Sequence, residues 1–196
     1  MKRALGMIEA TQRKLREAQF FYRHLVDSQD LMGPDRNEPD AFSFYLSAFI
    51  SAARSVPWVL QSEEKEKYEA WKPKWDAQLS SDERELVKFT NERRLDTVKR
   101  RGIEAIIEWE NIDLYELFKG SPFFKSDILD LNRQYPVFGN HMSAPPAAET
   151  PSVSLVRPVF HFEREGAKEE VTKTCRKYLD YLERFVREFL EAYKQS

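Results

Sequence analysis

Residues 167–194 constrain the fold more than any other stretch. Val171, Cys175, Tyr178, Leu182, Phe185 and Phe189 recur at intervals of 4, 3, 4, 3 and 4, which puts all six on one stripe of an α-helix. Most of the remaining positions are charged or polar. Such a helix draws its stability from burying the stripe rather than from local propensity. The chain must therefore supply other elements to cover this seam, and the spacing is that of helices packed side by side in a bundle.

Candidates to cover it lie upstream. Over residues 2–28, Ile8, Leu15, Ala18, Tyr22 and Leu25 fall at helical spacings, and Gly33, Pro34 and Pro39 then break the pattern. In AFSFYLSAFISAARSVPWVLQ (41–61), Phe42, Leu46, Phe49, Ala53 and Val56 repeat at 4, 3, 4 and 3, with Tyr45 and Ile50 widening the face. Ser43, Ser47, Ala48, Ser51 and Ala52 are small enough for a neighbour to approach closely, and Pro57 is expected to kink or end the helix. Residues 62–79 carry Tyr68, Trp71, Trp75 and Leu79 on an aromatic side. Ser62 before Glu63 and Glu64 is a start signal there, and Pro73 divides or kinks the segment.

Ser80 and Glu83 have capping-box spacing, so the next helix should begin near residue 81. It should end near Arg101, because Lys99, Arg100 and Arg101 fill a last turn before Gly102. IEAIIEWENIDLYELF (103–118) reads as further amphipathic helix through Ile103, Ile106, Ile107, Leu114 and Leu117. Residues 119–152 are irregular and end in a proline-rich loop composition. SVSLVRPVFHFE (152–163) has strand composition; Pro158 confines it to an edge, and QYPVF (134–138) is its candidate partner. The expected architecture is all-α: one domain over 1–196, an antiparallel bundle of four to five long helices with a small β-hairpin before the C-terminal helix.

A net charge of -2 gives no global pull towards nucleic acid or an anionic membrane, so any such attraction must be local. The single cysteine, Cys175, excludes an intrachain disulfide and fits a reducing compartment. No apolar run approaches the roughly 20 residues of a membrane span, and the charged N-terminus lacks a signal-peptide core. A cytoplasmic protein with no membrane association is expected.

Catalytic chemistry finds little support. Di-metal bundles use Glu-x-x-His pairs, but His24, His141 and His161 are preceded at that spacing by Phe21, Phe138 and Pro158. Glu104 and Glu108, one turn apart, read as a solvated face, so neither metal nor cofactor is expected. Cys175 sits on the apolar seam as a packed, inert thiol, and six glycines form no phosphate-cradling loop. Trp71 and Trp75 read as core or interface residues rather than a stacking platform. KFTNERRLDTVKRRG (88–102) remains. Cations in a last helical turn are favoured by the helix dipole, which accounts for Lys99, Arg100 and Arg101. It does not account for Arg93, whose spacing continues the apolar face of Leu86 and Phe89 and aims it inward.

This stretch resembles the motif of the HEPN superfamily, helical bundles in which an apolar residue precedes an Arg, often a polar residue, and then a His four to six positions on. Phe89 stands in the aromatic place, Arg93 in the arginine place and Arg94 in the polar place, while Lys99 stands where the histidine belongs. The resemblance covers about residues 5–102 and includes the small-residue-rich helix at 42–61. It implies a homodimer, to which the aromatic surplus also points, and an Arg–His pair that cleaves RNA without metal. Lysine, with a pKa of about 10.4, is poorly suited to the proton exchange that histidine performs near neutrality, although it can stabilise a phosphate by charge. The expected function is therefore binding of RNA or a nucleotide through Arg93, Arg94, Lys99 and Arg100 with little or no catalysis. Alternatives are a metal-independent endoribonuclease of toxin or defence type using Arg93 and Lys99, and a protein-interaction module that docks a partner strand along residues 153–162.

Overall fold

The structure is a computed structural model and describes residues 8–29, 40–99, 105–113, 154–164 and 167–194. Among these residues it is mostly helical, with one small sheet. The elements in order are α1 (Glu9–Gln29), α2 (Ala41–Glu63), α3 (Lys65–Gln78), α4 (Ser81–Lys99), β1 (Ile106–Asp113), β2 (Ser154–Arg164), β3 (Ala167–Glu170) and α5 (Val171–Lys194). Two compact units are present: one of Met1–Ile107 with Phe160–Ser196, the other of Glu108–Val159. No described helix is long and apolar enough to cross a membrane.

The larger unit is built on the seams visible in the sequence. All six stripe residues of α5 are at most 3% exposed, as are Phe42, Leu46, Phe49, Ala53 and Val56 of α2. Ile8, just before α1, and Ala18 and Leu25 within it join the same core, with Leu15 and Tyr22 packed at its margin. Mostly polar, α3 attaches by its aromatic side: Trp71 stacks on Trp75 at 5.3 Å, and both meet the ring of Phe185 edge-on. Pro57 does not end α2, which continues to Glu63. Val56 and Leu60 on either side are fully buried, and their packing offsets the backbone hydrogen bond that proline removes. Pro73 likewise lies inside a continuous α3.

The capping box forms as read. The Ser80 amide donates to Glu83 Oε2 at 2.9 Å, and the Glu83 amide donates to Ser80 Oγ at 3.2 Å. Desolvation alone would raise the Glu83 carboxyl, but the Ser80 amide and the ion pair with Arg184 of α5 outweigh it, so the group titrates below its ordinary value. A depressed carboxylate contributes stability above its unfolded-state pKa and loses it as pH falls through the folded one. Glu83→Gln should therefore cost about 1 kcal/mol at pH 7 and much less near pH 3. Urea unfolding at the two pH values checks this, and an equal loss at both would refute the charge-based account.

Four expectations are corrected. Ile106–Asp113, read as part of a helix over 103–118, is strand β1. The three strands form one sheet in the order β1–β2–β3, so β2, expected at an edge because of Pro158, is the middle strand. Its antiparallel pairing with β3 runs only from His161↔Glu170 to Arg164↔Ala167, which leaves Pro158 beyond the reach of β3. The missing amide thus costs no ladder bond on that side. The C-terminal helix begins at Val171, because residues 167–170 are taken by β3. Ser62 starts no helix: α2 runs past it, and Glu64 precedes α3 without a side-chain cap. A β-hairpin before the last helix is present as β2–β3, whereas QYPVF (134–138) and the loop 119–152 lie outside the described residues.

Glu63 has another task. Its carboxylate reaches the start of α1, accepting from the Ala10 and Thr11 amides at 2.8 Å each and from Thr11 Oγ1 at 2.6 Å. Helix N-termini expose amides without intrahelical partners and carry partial positive charge, so a carboxylate from another helix is well placed there. In the smaller unit, Arg157 donates through Nε and Nη2 to Glu110 Oε2 at 2.9 and 2.8 Å, a solvent-exposed pair of little energetic weight.

Candidate functional site

Helix α4 carries Arg93, Arg94 and Lys99 on one continuous element. The Arg93 side chain turns towards the interior. Its Nη2 donates to the Glu163 carbonyl oxygen at 3.0 Å, and its guanidinium lies 5.1 Å from the ring centroid of Phe89 and 5.6 Å from that of Phe162. Phe89 and Phe162 themselves meet edge-on at 5.1 Å. Arg93 thus ties α4 to β2 through the Glu163 carbonyl and the Phe162 ring, its guanidinium also resting against Phe89 of its own helix. The adjacent cavity, lined by Phe49, Phe89, Arg93, Phe162, Cys175 and Tyr178 among others, is about 10 Å³. That is room for one water and no ligand. The side chains of Arg94 and Lys99 lie outside the described set, as does the whole of Arg100.

Cys175 borders this cavity as a buried thiol, and burial pushes its pKa up, away from the reactive thiolate. Tyr68, buried beside Asp76, is pushed up to about 12 by desolvation first and the neighbouring carboxylate second, so neither is poised for proton transfer near neutrality. Among the described residues no group of three or more His, Cys, Asp or Glu is placed to hold a metal ion.

A different constellation stands on the roughly opposite side of α4. Arg54 of α2 and Arg84, Val87, Lys88, Asn91 and Glu92 of α4 line an open hollow of about 400 Å³. On α4 the spacing 84, 87/88, 91/92 follows one helical face. Arg54 Nε donates to Asn91 Oδ1 at 2.8 Å, which fixes the guanidinium plane. Its Nη1 is buried and has no hydrogen-bond partner among the described residues. Arg84 Nη2 is held against the last carbonyls of α3, Asp76 O at 3.2 Å and Ala77 O at 3.5 Å. Three cations face one carboxylate here. An arginine oriented by a neutral amide, with an unused buried donor and two further cations nearby, is arranged to accept an anion carrying several oxygens. Sequence reading missed the site because Arg54 comes from a helix 37 residues away from Asn91. Its only signal was a lone cation in the small-residue stretch between Ala53 and Ser55.

Comparison with known protein families, with curated proteins and with solved structures finds no match for this chain.

Proposed function

We propose that the protein binds RNA or a nucleotide through its phosphate groups and does not cleave it. The observation that carries this reading is the hollow between α2 and α4, where Arg54, Arg84 and Lys88 converge and an Arg54 donor lacks an acceptor. Phosphate oxygens are the acceptors that arginine recognises best. In this reading Arg94, Lys99 and Arg100 supply further cations for the phosphates, and Arg93 acts by holding α4 on β2 rather than by catalysis. The HEPN-like antiparallel bundle and homodimer belong to the same reading. They rest on the motif residues Phe89, Arg93 and Arg94, from which Lys99 departs.

The test is retention of RNA by the full chain at low salt. Binding should weaken steeply as salt rises, by counterion release, and the RNA should remain intact in the presence of a chelator. No retention even at low salt would overturn the reading. Metal-independent cleavage that disappears in Arg93→Ala would replace it with the endoribonuclease.

A further inference from the structure

Trp58 is 62% exposed and, with Phe44 at 61%, the most exposed of the large apolar side chains among the described residues. On α2 it stands four residues after Arg54, on the same face and about one turn, roughly 6 Å, further along. Its direction relative to the hollow follows from what lines the two cavities. Phe49 and Ile50 share a cavity with Phe89, Thr90 and Arg93, whereas Arg54 shares the hollow with Arg84, Val87, Lys88 and Asn91. As α2 advances its neighbours on α4 recede, so the two helices run in opposing directions. Trp58 therefore stands one turn beyond Arg54 on α2, in the direction of the Arg84 end of α4.

An exposed indole one turn from a basic hollow offers a flat apolar face on which a base can stack. The other tryptophans with described side chains are employed in packing: Trp75 is buried and Trp71 stacks on it. One turn of helix is the scale of a nucleotide, in which a flat apolar base is joined to a phosphate through a sugar. We infer that the hollow and Trp58 form one nucleotide subsite, with the phosphate on Arg54, Arg84 and Lys88 and the base stacked on the Trp58 indole. This rests on the phosphate-binding reading above and sharpens it to a ligand class. Stacking needs a free base face, so the site takes a single-stranded RNA segment or a nucleotide and rejects a duplex, whose bases are already stacked.

The experiment is a fluorescence titration of the full chain with single-stranded RNA of about ten nucleotides, duplex RNA, adenosine monophosphate and inorganic phosphate. Single-stranded RNA should quench tryptophan emission and bind at least about tenfold tighter than the duplex. Trp58→Ala should lose about tenfold in affinity, within the range set by base stacking on aromatics. Trp58→Phe should keep most of the affinity but lose the quench. Lys88→Gln, at an exposed position that leaves the core untouched, should reduce the slope of log affinity against log salt by about 0.7. Binding of adenosine monophosphate with the same dependence on Trp58 also supports the subsite. Three results would overturn it: unchanged RNA affinity in Trp58→Ala, equal binding of duplex and single strand, or inorganic phosphate binding as tightly as the mononucleotide. The first two leave the phosphate-binding function standing. Absence of all RNA binding removes both.

Discussion

Phe185→Ala is expected to destabilise the protein by about 3–5 kcal/mol, the range for truncating a fully buried phenylalanine. Phe185 is 0% exposed, and its ring lies 5.2 Å from that of Trp71, 5.7 Å from Trp75, 6.2 Å from Tyr181 and 6.3 Å from Tyr68. Three of these rings, Tyr68, Trp71 and Trp75, belong to α3 and form the aromatic side by which it packs. Apart from Tyr68 and Trp75, no residue of α3 is buried, and the helix contains Pro73. Removing the phenyl ring would leave a cavity that large, mutually stacked aromatics cannot easily close. The loss is a large fraction of the 5–15 kcal/mol stability of an ordinary domain. Phe185→Leu keeps most of the volume and should cost much less. Urea unfolding gives the stabilities, and near-ultraviolet circular dichroism of Trp71 and Trp75 reports whether α3 has come loose. A loss below about 1 kcal/mol for Phe185→Ala would mean that α3 is held by something other than this ring cluster.

The same residue illustrates what the sequence made legible. A seam that repeats without interruption over five intervals has one helical solution, so the buried face of α5 could be read directly, as could that of α2. The Ser80–Glu83 cap was equally readable because both partners lie within one turn. Ile106–Asp113 was not. Ile103, Ile106, Ile107, Leu114 and Leu117 fall on one helical face, while the β-branched Ile106, Ile107 and Ile112 suit a strand as well over so short a run. The strand prevails through pairing with β2, more than forty residues later in the chain, and no local spacing encodes that partner. Pro158 misled for a related reason: the rule against proline inside a sheet applies to a strand paired on both sides, and β3 is too short to reach it. At the functional level, the inward aim of Arg93 followed from its spacing behind Phe89. The hollow on the other side of α4 depends on Arg54 meeting Asn91, a tertiary contact with no motif behind it.

The Glu63 contact is of the same non-local kind, and its removal should produce the second large effect. Glu63→Ala is expected to cost about 2 kcal/mol. Three donors would lose their acceptor at once: the Ala10 amide, the Thr11 amide and Thr11 Oγ1. Thr11 is fully buried, so its hydroxyl cannot readily exchange Glu63 for water, whereas Ala10 is exposed and can. The cost should therefore fall mainly on Thr11. Thr11→Val in the Glu63→Ala background tests this, because it removes the orphaned hydroxyl while keeping the shape; it should recover part of the loss, although the same change alone is destabilising. The double-mutant cycle should give a coupling between the two positions of about 1 kcal/mol or more. Glu63→Gln should fall between wild type and Glu63→Ala, since an amide oxygen still accepts but no longer complements the positive end of α1. Hydrogen exchange should show the first turn of α1 opening sooner in Glu63→Ala, with α5 unaffected below the global unfolding limit. Additive energies for Glu63 and Thr11, with unchanged exchange in α1, would mean that the end of α2 does not hold the start of α1.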